Sequence, residues 1–177
     1  RKKWMVPGLI LVVVVFLASP EALKQRLYSS FDPNDTTTQI RLELLRTGRN
    51  IIADHPWTGL GPRMVPRLYQ NYNESDESPA WIYQHLHNNF VQIAAEMGLI
   101  TLSFWMALWI RLLRDFVSFA RRPASDGFST FSAIGSSAVL AAFLTAGLLE
   151  YNFGDSEILI LLLFFMTVPY VMHDGRE

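Results

Sequence analysis

Three groups of residues in this sequence carry side chains suited to chemistry. The first is His85-Leu86-His87-Asn88-Asn89, which leads into a long apolar run. If the chain continues as a helix at about 100° per residue, Asn89, Gln92 and Glu96 fall within roughly 60° of one another. A polar stripe then descends from the His-Asn entrance into an otherwise apolar element. Polar groups so placed either form a hydrogen-bond ladder between helices or face a wet cavity. At a helix N-terminus His87 meets the positive end of the dipole, which favours a neutral, proton-accepting ring. The second group is Arg41, in the helical row Arg41, Leu45, Gly48, Ile52, a mostly apolar row expected to face the membrane domain. Its guanidinium fork matches phosphate oxygens bidentately, the alternative being a side chain that snorkels to lipid head groups. Arg46 and Arg49 fall on other faces and are expected in solvent. The third group, Glu150, Asp155 and Glu157, places three carboxylates in one short turn. They could hold a hydroxyl or orient a histidine, but a solvated turn is the expectation.

Other chemistries find less support. His85-x-His87 offers two metal ligands, yet no third is fixed nearby in sequence, so neither a metal nor another cofactor is expected. With no cysteine there is no disulfide, thiolate ligand or thiol nucleophile. A formal net charge of −1 gives no basic field for nucleic acid. Gly59-x-Gly61 lacks the strand-to-helix setting of a dinucleotide loop, and neither a phosphate-cradling loop nor a serine nucleophile elbow occurs.

The elements that must position these residues follow from hydropathy. Half of the 177 residues are hydrophobic, and charges are nearly absent from four stretches. That pattern predicts an all-α polytopic membrane protein with about four spans, at 1–18, 90–110, 129–149 and 158–172, because a charge at the bilayer centre costs about 2.5 kcal/mol or more. The third stretch is rich in Ala, Ser and Gly, which permit close helix packing. Arg1, Lys2 and Lys3 precede the first span, and Arg111, Arg114, Arg121 and Arg122 lie between the second and third. The positive-inside rule makes both clusters cytoplasmic, so 19–89 and 150–157 face the outside, while 111–128 and the tail 173–177 face the cytoplasm. The opening resembles a signal peptide, but Leu17-Ala18-Ser19 precedes Pro20, which disfavours cleavage. A start within a longer protein is the expectation, with earlier spans supplying part of any site. In the outer loop a helix is predicted over 39–54, capped by Thr and Asp oxygens and ended by Asp54-His55-Pro56. Thr58-Gly59-Leu60-Gly61-Pro62 reads as a turn and 69–79 as a polar, mobile surface loop.

Arg41, then Asp54-His55-Pro56-Trp57-Thr58-Gly59-Leu60-Gly61-Pro62, then His87-Asn88-Asn89-Phe90-Val91-Gln92 and Glu96-Met97-Gly98-Leu99-Ile100 resemble the O-antigen ligase and polymerase superfamily. The ligase pattern of His, Asn, nine residues, Gly, two residues and Gly, Thr or Tyr is met by His87, Asn88, Gly98 and Thr101. The likeness covers roughly 38–105 and discriminates poorly among members. It implies a metal-independent, inverting glycosyltransferase at the periplasmic face of a bacterial inner membrane. The donor would be a glycan on undecaprenyl pyrophosphate, held by Arg41, and the acceptor hydroxyl would be activated by His87. Asn88, Gln92 and Glu96 would complete the substrate site. The acceptor would be lipid A-core for a ligase, with polysaccharide polymerisation or protein O-glycosylation as alternatives. A glycolipid transporter or flippase, with Arg41, His87 and Glu96 lining a path, is the reading from a different class.

Overall fold

A computed structural model describes residues 20–21, 35–73, 84–121 and 127–174. Among them every regular element is helical: α1 (Thr36–Asp54), α2 (Val65–Tyr72), α3 (Asn89–Arg121), α4 (Gly127–Ala146), a 3-10 turn (Asn152–Gly154) and α5 (Ser156–Asp174). The chain divides into two compact units, Arg1–Leu42 and Glu43–Glu177. The predicted first span, 1–18, lies outside the described residues. α3, α4 and α5 are each long and apolar enough to cross a membrane, so the chain is an all-α polytopic membrane protein.

The core joining these three helices is largely aromatic. Trp105 stands edge-on to Phe90, Trp109 and Phe153, at centroid distances of 5.5, 5.6 and 5.5 Å, and Trp109 continues to Phe143 at 5.8 Å. Leu140, Leu162 and Met166 close the centre. The outward faces are also apolar: Phe104, Phe131 and Ile160 are 75%, 71% and 67% exposed, a surface suited to lipid and costly in water.

Pro169 lies inside α5 and leaves the helix intact. Having no N–H, it cannot bond the Phe165 carbonyl one turn back. The Ser136 hydroxyl of α4 donates to that carbonyl at 2.6 Å, so the small-residue helix supplies the missing hydrogen bond. α3 runs to Arg121, well into the stretch 111–128 predicted as a loop. Nothing in 111–121 breaks a helix, and Arg111 chelates Asp115 one turn on, while Tyr170 of α5 donates to the same carboxylate at 2.8 Å.

α3 is two helices joined at a break. Gly98 has φ 79° and ψ 169°, which no helix contains. The Leu99 N–H therefore turns away and donates to the Pro56 carbonyl at 2.8 Å. The carbonyls of Ala95 and Glu96, left without helical donors, accept from Leu60 N–H at 2.9 Å and Gly61 N–H at 2.8 Å. Gly59 (φ 65°) sits against the same break, and a Cβ there would lie 2.6 Å from Glu96 O and Met97 N. The two glycine-bearing motifs thus form one backbone-to-backbone joint. Its product is a half-helix, 89–97, that carries the polar stripe.

α1 buries Leu44, Thr47, Gly48 and Ile51, with Gly48 admitting Val91 and Leu86 at close range. The buried face is thus not the row through Leu45 inferred from sequence, and Leu45 is 37% exposed. Part of the stretch 69–79, predicted as loop, belongs to α2, which is tied to α1 by hydrogen bonds from Tyr69 Oη and Asn73 Nδ2 to Glu43 Oε1 at 3.1 and 2.9 Å. A hydrophobic face centred on Val65 and Tyr69 holds this short helix down, a pattern masked in sequence by its polar residues.

Candidate functional site

Asn88 caps the half-helix: its Oδ1 accepts from the N–H groups of Phe90 and Val91 at 2.9 and 3.0 Å, and its Nδ2 donates to the Leu148 carbonyl at 2.9 Å. Asn89 is fully buried and ties down the outer turn. Its N–H donates to Gly147 O at 2.7 Å, its Nδ2 to Asn152 Oδ1, and its Oδ1 accepts from Phe153 N–H at 3.0 Å. A Cβ on Gly147 would overlap Asn89 Nδ2, so only glycine allows this approach. Two asparagines therefore bring 147–153 against the entrance of α3.

That junction delivers Glu150 to His87. His87 Nδ1 lies 2.7 Å from Glu150 Oε1, and His85 Nδ1 lies 3.8 Å from the same oxygen. His87 has φ 48°, a left-handed conformation costing a non-glycine residue about 1 kcal/mol or more, and such strain persists only where surroundings fix it. The surroundings here are the Asn88 cap on one side and, on the other, Leu86 N–H donating to Gln92 Oε1 at 2.8 Å. With Nδ1–H donated to the carboxylate, Nε2 of His87 is the proton-accepting nitrogen. The carboxylate was expected in a solvated turn; it is half-exposed and orients the histidine.

Burial alone would push the Glu150 carboxyl up. The hydrogen bond and charge of His87, the Tyr151 N–H and the charge of His85 outweigh that, and the group sits below its usual range. His85 goes the other way for a base: burial, then the neighbouring His87, hold its pKa below the ordinary value, against the pull of Glu150 and Asp155. Burial, followed by the charge of Glu96, raises the Tyr151 phenol.

Beside the pair opens a cavity of about 560 Å³ lined by Arg63, Arg67, His85, Gln92, Glu96 and Tyr151, among others. Glu96 is buried, and its Oε1 accepts from Val65 N–H at 3.4 Å, placing a carboxyl oxygen at the start of α2. Arg63 and Arg67 are exposed and four residues apart in sequence, and Arg63, ahead of α2, has φ 59°, the second strained non-glycine backbone among the described residues. Gln92 and Glu96 of the predicted set reach this cavity; Asn88 is engaged in capping. Arg41 is half-buried and belongs to the unit Arg1–Leu42, whereas the residues that build the pair and the cavity belong to the unit Glu43–Glu177. Sequence reasoning passed over Arg63, Arg67 and Tyr151. The first two had a signal: Arg63 directly follows the glycine turn, and Arg67 is four residues on.

The family model of O-antigen ligase (Wzy_C) matches residues 1–106, well over half of the chain. The chain belongs to the O-antigen ligase family. Its chemistry is therefore of the O-antigen ligase or polymerase type, glycosyl transfer in a membrane setting. No individual curated protein matches the chain. The match takes in the glycine joint, His87 and the polar half-helix. Glu150 and Tyr151 lie beyond it and enter the site through geometry alone.

Proposed function

We propose that the chain transfers a glycan from undecaprenyl pyrophosphate to an acceptor hydroxyl at the periplasmic face of the inner membrane, with lipid A-core as acceptor. The observation that carries this reading is the His87–Glu150 contact at 2.7 Å beside an arginine-lined cavity. Arg63 and Arg67 hold the donor pyrophosphate there. Gln92 and Glu96 hydrogen-bond sugar hydroxyls. The acceptor oxygen attacks the anomeric carbon as the bond to pyrophosphate breaks on the opposite face, which inverts the centre. The hydroxyl proton passes to Nε2 of His87, and Glu150 stabilises the imidazolium formed. Charge gathers on the leaving pyrophosphate, so arginines beside it favour the transition state over the ground state. Energy comes from the lipid-linked donor, and no step requires a metal or nucleotide.

The test is reconstitution of the full-length protein with lipid-linked glycan and lipid A-core. Covalent product should form without ATP, nucleotide sugar or divalent metal, and resist chelator. Movement of the glycolipid across the bilayer with no covalent product would replace this reading with transport.

A further inference from the structure

His85, His87 and Glu150 bring together three metal-ligating atoms that the sequence keeps 65 residues apart at the extremes. We propose that they form an inhibitory binding site for a zinc-class divalent cation. The proposal rests on the general-base reading of His87 for its inhibitory effect, though not for binding.

The geometry is close to what the ion requires. The three ligand atoms lie within 4.8 Å of one another. Tetrahedral zinc, with bonds of about 2.0–2.1 Å, sets neighbouring ligand atoms roughly 3.3 Å apart. The two contacts to Glu150 Oε1, 2.7 Å from His87 Nδ1 and 3.8 Å from His85 Nδ1, bracket that spacing, and rotation of the two imidazoles brings all three atoms onto the ion. His85 also presents a ligand atom in waiting: its Nδ1 is buried with no hydrogen-bond partner among the described residues. A buried polar nitrogen without a partner is costly, and a metal ion would satisfy it. Water fills the fourth position from the open side of the site.

Inhibition follows from the tautomer. Zinc on Nδ1 of His87 requires that nitrogen's lone pair, so the ring proton must reside on Nε2. The nitrogen that accepts the acceptor-hydroxyl proton is then already protonated, and Glu150 is diverted from the imidazole to the metal. The ion thus switches off the base from the His85 edge of the arginine-lined cavity.

The experiment is calorimetric titration of zinc into the full-length protein in detergent, with His85→Ala and Glu150→Gln alongside and thermal midpoints verifying their folding. Wild type should bind zinc stoichiometrically, and each variant should bind at least about tenfold more weakly. Equal affinity in wild type and His85→Ala, or no stoichiometric binding by wild type, overturns the site. Zinc should also suppress glycan transfer with a midpoint that follows the calorimetric Kd. Tight, variant-sensitive binding that leaves transfer untouched would uphold the site and instead overturn the general-base role of His87.

Discussion

Gly98→Ala is the sharpest probe of how the site is built. A methyl at Gly98 would overlap the Trp57 carbonyl and lie 2.6 Å from Thr58 N, both backbone atoms with no rotamer to yield. The conformation itself, φ 79° and ψ 169°, costs a non-glycine residue about 1–3 kcal/mol. Relief requires the 56–61 turn to lift away, giving up the bonds Leu99–Pro56, Leu60–Ala95 and Gly61–Glu96, each worth about 0.5–1.5 kcal/mol net. The sum is roughly 2.5–7.5 kcal/mol, a lowering of the thermal midpoint by about 5 °C or more for a chain of this size. Because the joint also sets where Glu96 meets α2, transfer activity should fall with it. Gly135→Ala is the control: its added Cβ meets nothing within 4 Å, and alanine suits a helix better than glycine. Thermal unfolding and transfer assays on the two variants, both in the full-length protein, decide the matter. Equal midpoints for Gly98→Ala and Gly135→Ala would refute the backbone joint as the device that holds the site.

Further predictions concern the pair and the cavity. Glu150→Gln exchanges a charge-assisted for a neutral hydrogen bond to His87; after discounting for its half-exposed position, kcat should fall about three- to tenfold with KM for donor unchanged. Arg63→Ala and Arg67→Ala should each raise KM for donor by about tenfold or more, and lysine at either position should restore it only in part, since the fork is lost. Acidification should loosen the 84–87 segment. The His85 pKa is lower folded than unfolded, so as pH falls below its ordinary 6.5 the unfolded state takes up a proton that the folded state refuses, and stability declines until the folded pKa is passed. Glu150, held below its ordinary 4.5, contributes stability above that value and loses it only as pH falls through its lower folded pKa. Hydrogen exchange at the Leu86 amide against pH, in wild type and His85→Ala, should show a component below pH 6.5 in wild type only.

Legibility in the sequence tracked the range of the interactions. The apolar runs and the stripe Asn89, Gln92, Glu96 were readable because both are local periodicities, and these three side chains are buried as a stripe in the protein. The glycines of the two motifs could be seen, but not their meeting, since the Gly59–Gly98 joint depends on carbonyls freed by a break that no local pattern announces. Glu150 was indistinguishable from its acidic neighbours until Asn89 and Gly147 fixed the turn against α3. α1 was legible as a helix, while its buried face was not: Gly48 is buried because Val91 packs on it, a contact set by the tertiary fold. Pro169 lacks the N–H a helix interior needs, and Ser136, on another helix, satisfies the carbonyl left open.

The most direct test of the catalytic proposal is His87→Ala in the reconstituted full-length protein, with transfer and donor binding measured on the same preparation. Transfer should fall by about 10²–10⁴-fold, while the affinity for lipid-linked donor stays within about twofold of wild type. Transfer that persists near the wild-type rate, or a loss of donor affinity large enough to explain the lost turnover, would contradict His87 as the base.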